Sequence, residues 1–203
     1  AIGQVSKNMI NTFWYNLNAI NAGGSRPKGI EKYTTKKVGV LGAGMMGAGI
    51  AYVTALSGME VVLKDVSMEA AEKGKSYSEG LLKKRVSKGK MTKEKMEEVL
   101  NRIKATDKPA FEGCDLIIEA VFEDRTLKAK VTQEAETTMM PEGIFASNTS
   151  TLPITGLATA SSRPKQFIGL HFFSPVDKMP LVEIICGNET DEATLAKAFD
   201  YVL

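Results

Sequence analysis

The sequence is poor in the residues that build metal centres and disulfide frameworks. Its 203 residues include two cysteines, Cys114 and Cys186, outside any CxxC spacing, and a single histidine, His171. Zinc sites and disulfide scaffolds need more such residues at closer spacing. We therefore expect no metal, and a chain kept in a reducing compartment.

The sequence also has little excess charge and no long apolar run. The formal net charge is +2, from 26 basic and 24 acidic residues, so nothing general predicts nucleic acid or an anionic membrane surface as a partner. No apolar stretch approaches the roughly 20 residues of a membrane-spanning helix. The first residues lack the basic and then apolar order of a signal peptide. These features favour an ordinary globular protein.

A helical pattern precedes the main part of the sequence. Apolar residues recur at helical spacing from Met9 to Ile20, and a Gly-Gly pair ends the pattern. The stretch "GGSRPKG" that follows is typical of a linker. We interpret residues 1–36 as a linker helix and connector, and residues 37–203 as the main domain. The apolar face of the helix is expected to pack against that domain or against a neighbouring one.

From residue 37 onwards, short apolar runs alternate with helical patterns. This alternation is typical of parallel strands joined by helices, so we predict an α/β fold with a mostly parallel sheet. The predicted strands are Lys37–Leu41, Glu60–Lys64, Leu116–Ala120, Ile144–Ser147, Phe167–Phe172 and Leu181–Ile185.

A long polar insertion follows the second predicted strand. Its apolar positions predict two helices joined at "SKGKM", the second reaching Ile103, in a hairpin that protrudes from the sheet. Several basic residues lie on this hairpin, Lys84 and Lys88 among them. A solvated face is the simpler interpretation of such a cluster, and contact with a phosphate-bearing ligand is the alternative.

The stretch "VGVLGAGMMGAGIAY" holds a G-x-G-x-x-G pattern, Gly42, Gly44 and Gly47, between a predicted strand and an apolar helix. The first glycine permits a tight turn, the second admits a pyrophosphate, and the third lets the helix pack closely on the strand. Asp65 ends the next predicted strand, 18 residues after Gly47. A carboxylate there accepts from ribose hydroxyls and repels a 2′-phosphate. The combination predicts a Rossmann-type, doubly wound fold that binds NAD; a turn serving only packing is the alternative.

The stretch "FIGLHFFSPVDKMPLVEII" holds candidate acid–base residues. His171 and Glu183 lie equally far from Asp177, so an antiparallel hairpin centred there places the two side chains opposite each other. A carboxylate beside an imidazole fixes its tautomer and stabilises its protonated form, as a general base near neutral pH requires. A purely structural pair is the alternative.

Polar residues follow the predicted strand at "FASNTSTLPIT". Asn148 and Ser150 come where the carboxyl end of that strand is expected, and ligands of open α/β sheets bind at this edge. Ser150 is suited to hydrogen-bond a substrate oxygen, and Asn148 to face a nicotinamide or hold the loop. Turn and cap chemistry is the alternative for both residues.

Four motifs, in order and at matching spacing, resemble those of the L-3-hydroxyacyl-CoA dehydrogenase family of fatty acid β-oxidation. They are "GAGMMGAGIA", "DLIIEAVFED", "ASNTSTLPIT" and "GLHFFSPVDKMPLVEII". The likeness runs from about Lys36 to the last residue. The lead-in "SKNMINTFWYNLNAINAG…SRP" resembles the connector after the enoyl-CoA hydratase domain in the α-subunits of bacterial multifunctional fatty acid oxidation complexes.

The resemblance implies roles for individual residues. His171 is expected to be the base, with Glu183 orienting it, Ser150 binding the reacting oxygen and Asn148 helping to hold the site. Lys84 and Lys88 are expected to contact coenzyme A. Ser174 stands where some relatives have Asn. The cofactor-binding positions implied by the family are Gly42, Gly44, Met45, Met46, Gly47, Asp65, Ala120, Val121, Glu123, Lys128, Asn148 and Ser174.

The resemblance also implies a larger parent protein. Family members continue into a helical domain that closes the acyl-CoA pocket and forms dimer contacts, and this chain ends where that domain is expected to begin. We therefore expect a fragment with little activity alone, from an oligomeric parent in the bacterial cytoplasm or, alternatively, the peroxisome. Two other classes stay open: another two-domain NAD-dependent dehydrogenase with a lysine base, and a non-catalytic NAD-binding or assembly module.

Overall fold

The computed structural model describes residues 3–203 and contains a seven-stranded sheet. The strands are β1 Lys37–Leu41, β2 Glu60–Lys64, β3 Ile103–Thr106, β4 Leu116–Glu119, β5 Ile144–Ser147, β6 Phe167–Phe172 and β7 Val182–Cys186. Their order across the sheet is β3-β2-β1-β4-β5-β6-β7, and every pair is parallel except β6 with β7. This is the doubly wound Rossmann order with an antiparallel strand added at one edge, as predicted.

Helices lie before, between and after the strands. They are α1 Gln4–Ile10, α2 Leu17–Asn21, α3 Met45–Leu56, α4 Met68–Ser87, α5 Lys93–Asn101, α6 Arg125–Glu136, α7 Ile154–Ala158 and α8 Glu192–Val202, with a 3₁₀ turn at Pro164–Gln166. A π-helical stretch, Asn11–Asn16, joins α1 to α2. Strands β1, β4 and β5 are buried along almost their whole length because packed residues cover both faces of the sheet, which explains their near-continuous apolar sequences.

All six predicted strands are present, with end shifts of one residue in β4 and β7. The sequence interpretation was wrong at Ile103, which was assigned to the second helix of the insertion. That helix ends at Asn101, and Ile103 begins β3, an edge strand beside β2. Only its two end residues, Ile103 and Thr106, are buried and Lys104 is exposed, so β3 lacks the alternation that would have distinguished a strand from a continued helix.

The helical insertion comprises α4 and α5 and protrudes less than predicted. Helix α4 buries Ala71, Gly74, Ser78 and Leu82 on one face. A Cβ at Gly74 would lie 2.6 Å from both Cβ and the carbonyl oxygen of Ala43, so α4 presses directly on the glycine-rich turn. The basic side of the insertion, by contrast, faces outward.

The helical segment before the domain is largely exposed. None of residues 4–21 is buried, and Phe13 and Trp14 are 67% and 65% exposed. The apolar face of this segment therefore does not pack against the main domain, which was one of the two possibilities given by the sequence. Within residues 3–203, no helix is long and apolar enough to cross a bilayer.

The connector after that helix is fastened to the domain, where the sequence predicted only a linker. The Nε and Nη2 atoms of Arg26 donate to the carboxylate of Asp200 on α8, at 2.7 and 2.8 Å. The hydroxyl of Tyr33 donates to Asp115 at 2.5 Å. Burial, together with the Asp115 contact, raises the pKa of Tyr33 to about 12. The connector is thus part of the folded unit.

Candidate active site

The glycine-rich turn between β1 and α3 is shaped by close backbone contacts. Gly42 has a φ of +89°, and a Cβ there would lie 2.8 Å from the carbonyl oxygen of Ala120. A Cβ at Gly47 would lie 1.7 Å from the carbonyl oxygen of Gly42, whereas a Cβ at Gly44 would meet no atom within 4 Å. The first turn of α3 adds N–H groups without intrahelical acceptors. The turn therefore offers both space and donors to a phosphate.

A cleft of about 510 Å³ opens beside this turn. Seven of the twelve positions expected at the cofactor line it: Gly42, Gly44, Met45, Met46, Asp65, Ala120 and Val121. Val66 and Phe122 line it as well, 90% and 87% exposed, and the sequence reasoning missed both. Their position just after Asp65 and Val121, at the carboxyl edge of the sheet, was the available signal. Gly47 lies behind the cleft, against β1.

Asp65 links β2 to the glycine-rich turn. Its Oδ2 atom accepts from the backbone N–H of Ala43, and its Oδ1 atom from that of Val66, both at 2.6 Å. A carboxylate has about four acceptor positions, so two remain for the hydroxyls of a ribose. The neighbouring Lys64 also lines the cleft, and its Nζ lies 3.5 Å from a carboxylate oxygen of Glu134, which balances its charge. These residues fit a dinucleotide whose ribose carries no 2′-phosphate.

His171 lies between two polar partners at the antiparallel edge of the sheet. The β6–β7 register pairs it directly with Glu183, and its Nδ1 atom is 2.8 Å from Oε2 of that residue. Its Nε2 atom is 3.1 Å from the hydroxyl oxygen of Ser150. The carboxylate holds the proton on Nδ1, so in the neutral ring Nε2 is the acceptor and faces Ser150. The sequence predicted the hairpin correctly.

Asn148 and Ser174 join neighbouring parts of this region. The side-chain oxygen of Asn148 accepts from the backbone N–H of Phe172 at 2.9 Å, which ties the loop after β5 to β6 beside His171. The hydroxyl of Ser174 lies 3.7 Å from the sulfur of Met45 at the start of α3. Ser174 therefore bridges the loop after β6 and the cofactor cleft.

Lys128 is enclosed in the protein and does not reach the cleft. It is 1% exposed, with its Nζ 2.8 and 3.0 Å from the two carboxylate oxygens of Glu119 and 3.3 Å from Oε2 of Glu123. The family likeness implied a position at the cofactor for Lys128, and that stays a prediction. Glu119, which is fully buried, was not singled out in the sequence, where it is one acid in an apolar run.

Glu123 receives donors from the loop that carries Ser150. It accepts from the hydroxyl of Thr149 and, at 3.2 Å, from the backbone N–H of Ser150. Burial raises the pKa of Glu123, but the Thr149 hydrogen bond and the charge of Lys128 outweigh it, so the pKa lies below its usual value. Glu123 is therefore ionised and positions the Ser150 loop.

The two lysines expected at coenzyme A lie on the helical insertion. Lys84 and Lys88 are exposed at the end of α4 and just after it. Helix α4 does touch the site side of the sheet, because the hydroxyl of Tyr77 donates to Asp177 in the β6–β7 loop at 3.1 Å. Burial and this contact raise the pKa of Tyr77.

The fold and the site together define a class of protein. A glycine-rich turn and a strand-end acid form a dinucleotide cleft, and an imidazole with a carboxylate and a hydroxyl lies on the same carboxyl edge of the sheet. That combination is typical of the cofactor-binding domain of a dehydrogenase that moves a proton and a hydride.

Comparison with known proteins gives the family. Residues 37–203 match the family model described as "3-hydroxyacyl-CoA dehydrogenase, NAD binding domain", and the chain belongs to that family. This agrees with the cofactor expected from the sequence, NAD, and favours this family over dehydrogenases with a lysine base.

Individual relatives agree with the family. The chain is 49% identical over 159 residues to a probable 3-hydroxybutyryl-CoA dehydrogenase of Deinococcus radiodurans, covering 78% of the chain and 57% of that protein. It is 44% identical over 170 residues to a fatty acid oxidation complex subunit alpha of Ectopseudomonas oleovorans, covering 83% of the chain and 24% of the subunit. The crystal structure of (S)-3-hydroxybutyryl-CoA dehydrogenase from Ralstonia eutropha matches with a TM-score of 0.79 and 37% identity, over 83% of this chain and 61% of that one.

Proposed function

We propose that this chain is the NAD-binding part of an L-3-hydroxyacyl-CoA dehydrogenase that oxidises (S)-3-hydroxyacyl-CoA to 3-oxoacyl-CoA. The observation that carries the proposal is the line of contacts Ser150–His171–Glu183, with distances of 3.1 and 2.8 Å, on the sheet edge that also holds the dinucleotide cleft. The relatives span more than this chain, so the activity is proposed for the domain within a larger protein.

The chemistry divides between cofactor and side chains. Bound NAD+ supplies a hydride acceptor. Nε2 of His171 accepts the proton of the substrate's 3-hydroxyl as the C3–H bond breaks, and Glu183 stabilises the imidazolium that forms. The hydroxyl of Ser150 lies close enough to Nε2 to hydrogen-bond the same substrate oxygen. Glu123 and Asn148 hold the loop on which Ser150 lies.

The wider setting follows from the same proposal. Coenzyme A carries phosphates, and Lys84 and Lys88 are exposed cations on the insertion that would meet them. The matched α-subunits support a larger, multidomain parent. We propose that this parent has an upstream enoyl-CoA hydratase domain and a downstream helical domain that completes the pocket and the oligomer. The bacterial relatives support a bacterial cytoplasm as the location.

Calorimetric titration of this chain tests the proposal. We expect NAD+ to bind and acetoacetyl-CoA, added afterwards, to bind weakly, because an open site cannot hold a substrate from all sides. Gly80→Ala is a control variant that should bind NAD+ as the unchanged chain does. A Cβ at Gly80 would meet no atom within 4 Å, and Gly80 is exposed on the outer face of α4. A folded chain that binds no NAD+ would contradict the proposal.

A second candidate, an assembly module that binds NAD without catalysis, is favoured by one observation. The helical segment 4–21 presents a row of exposed apolar side chains, as a docking element would. Any measurable oxidation of a 3-hydroxyacyl-CoA by the chain would exclude this candidate, and loss of that oxidation in His171→Asn would assign it to the site described above.

A further inference from the structure

Glu119 is a fully buried carboxylate with every acceptor position used. Its Oε1 atom accepts from the backbone N–H of Val121 at 2.7 Å and from Nζ of Lys128 at 2.8 Å. Its Oε2 atom accepts from the same Nζ at 3.0 Å and from the hydroxyl of Ser147 at 2.7 Å. Glu119 therefore ties the carboxyl end of β4 to the end of β5 and to α6. Burying a charge is costly unless it is paired, and this one is paired completely.

The backbone of Glu119 holds the same loop from a second direction. Its carbonyl oxygen accepts from the N–H of Asn148 at 2.7 Å. The Asn148 side chain in turn accepts from the N–H of Phe172, the residue after His171. One residue of β4 is thus two hydrogen bonds away from the strand that carries the imidazole.

A third connection runs through Lys128. Its ammonium lies between the carboxylates of Glu119 and Glu123, and Glu123 accepts from the backbone N–H of Ser150 and Thr151 at 3.2 and 3.3 Å. The single positive charge of Lys128 balances part of two negative charges. Replacing the charge of Glu119 with an amide would put an N–H donor against Lys128 or Ser147, both of which are donors to that side chain. The rearrangement would pass to Glu123 and from it to the loop.

We propose that Glu119 is a positioning residue that sets the Ser150–His171 contact, through Ser147 and Asn148 on one side and through Lys128 and Glu123 on the other. Glu119 does not line the cofactor cleft and does not contact the imidazole, although it accepts from the backbone N–H of Val121, which lines that cleft. The proposal deepens the proposed function and rests on it for its catalytic meaning, but the geometry it predicts is measurable in the chain without cofactor or substrate.

The single histidine makes the measurement direct. In an untagged chain, a long-range ¹H–¹⁵N correlation spectrum contains one imidazole pattern, that of His171. Ser150→Ala calibrates the change in the Nε2 resonance caused by losing the serine contact. We expect Glu119→Gln to move Nε2 most of the way towards that position while Nδ1, held by Glu183, keeps its shift.

Glu136→Gln is the matched control. Glu136 lies on α6, the helix that carries Lys128, is 7% exposed, and accepts from the hydroxyls of Ser161 and Ser162 away from the site. We expect this variant to leave both imidazole nitrogens at their wild-type shifts, although it too removes a buried carboxylate. A folded Glu119→Gln chain with a wild-type imidazole spectrum would overturn the proposal, as would equal shifts in the two variants.

A milder variant covers the case in which Glu119→Gln does not fold. Ser147→Ala removes only one donor to Glu119, and we expect a smaller movement of Nε2 in the same direction; no movement would overturn the proposal. The calorimetric test is separate, so failure to bind NAD+ with an intact imidazole response would count against the proposed function and not against this inference.

Discussion

His171 and Glu183 face each other across the antiparallel β6–β7 pair, with Nδ1 of the imidazole 2.8 Å from a carboxylate oxygen. The glutamate side chain is half exposed and the histidine side chain is mostly covered. The carboxylate therefore holds the ring from the solvent side while Nε2 faces Ser150. This relationship determines what each substitution in the region is expected to do.

Glu183→Gln keeps the size of the side chain and removes its charge. Without the carboxylate the imidazolium loses its stabilising partner, so we expect kcat for 3-hydroxybutyryl-CoA oxidation to fall about 10²- to 10⁴-fold in a protein that carries this domain with the rest of the dehydrogenase. The affinity of the present chain for NAD+, measured by calorimetry, should not change. Glu189→Gln, at an exposed glutamate after β7, is the control. A loss of NAD+ affinity in Glu183→Gln as large as the loss of kcat would indicate that Glu183 has a structural role instead.

Two glycines of the same turn should respond differently to alanine. At Gly44 the new methyl group enters open space where a pyrophosphate would lie, so stability should hold while NAD+ binds at least about 10-fold more weakly, a change of ~1.4 kcal/mol. At Gly47 the methyl group meets the carbonyl oxygen of Gly42, and we expect a loss of about 2–4 kcal/mol in the free energy of unfolding. Urea unfolding and calorimetry on both variants separate the two effects. Equal destabilisation would contradict the assignment of Gly44.

Asp65→Asn tests the choice between NAD+ and NADP+. The amide cannot accept from two hydroxyls as a carboxylate does and no longer repels a 2′-phosphate. We expect NAD+ affinity to fall about 10-fold, ~1.4 kcal/mol, and the preference over NADP+ to narrow. Competition titrations with both cofactors measure this. Because Asp65 also holds the N–H of Ala43, circular dichroism must first show that the variant is folded. An unchanged preference for NAD+ over NADP+ would mean that another group distinguishes the two riboses.

The connector makes stability depend on pH. The hydrogen bond from Arg26 outweighs burial and lowers the pKa of Asp200 in the folded chain. Its contribution is therefore fully present above the ordinary carboxyl value of about 3.9 and is lost as the pH falls through the lower folded-state value. We expect Asp200→Asn to reduce the free energy of unfolding at pH 7 by about 1.5–3 kcal/mol.

Urea unfolding of both chains across the acid range checks this. The difference between wild type and Asp200→Asn should shrink as the pH is lowered below the ordinary carboxyl range. A difference that is constant with pH would show that the ionised state of Asp200 is not what stabilises the connector.

The sequence predicted the parts of the fold that local pattern determines. Strands β1, β2, β5 and β6 are short apolar runs bounded by turn residues, and their limits match the prediction. His171 and Glu183 are equally far in sequence from Asp177. In an antiparallel hairpin centred on Asp177 such residues lie opposite each other, so the sequence predicted their pairing. Strand β3 was missed because it has four residues, of which only the first and the last are buried, so its sequence has no period-two alternation.

Side-chain networks were harder to predict than strands. Lys128 and Glu119 are nine residues apart in sequence, and their pairing depends on how α6 folds back over β4. Nothing in a pattern of residue types separates a lysine that meets a cofactor from one that is enclosed by two acids. The same applies to Arg26, whose contact with Asp200 spans 174 positions.

Two residues of α4 that are one helical turn apart contact parts of the chain that are far apart in sequence. Gly74 rests on Ala43 in the phosphate-binding turn, and Tyr77, three residues on, reaches Asp177 beyond the strand of the base. The helix therefore contacts both the glycine-rich turn and the loop that follows the strand of His171. A tilt of α4, for instance when a large ligand binds to its outer basic side, would therefore shift the glycine-rich turn and the loop of Asp177 together.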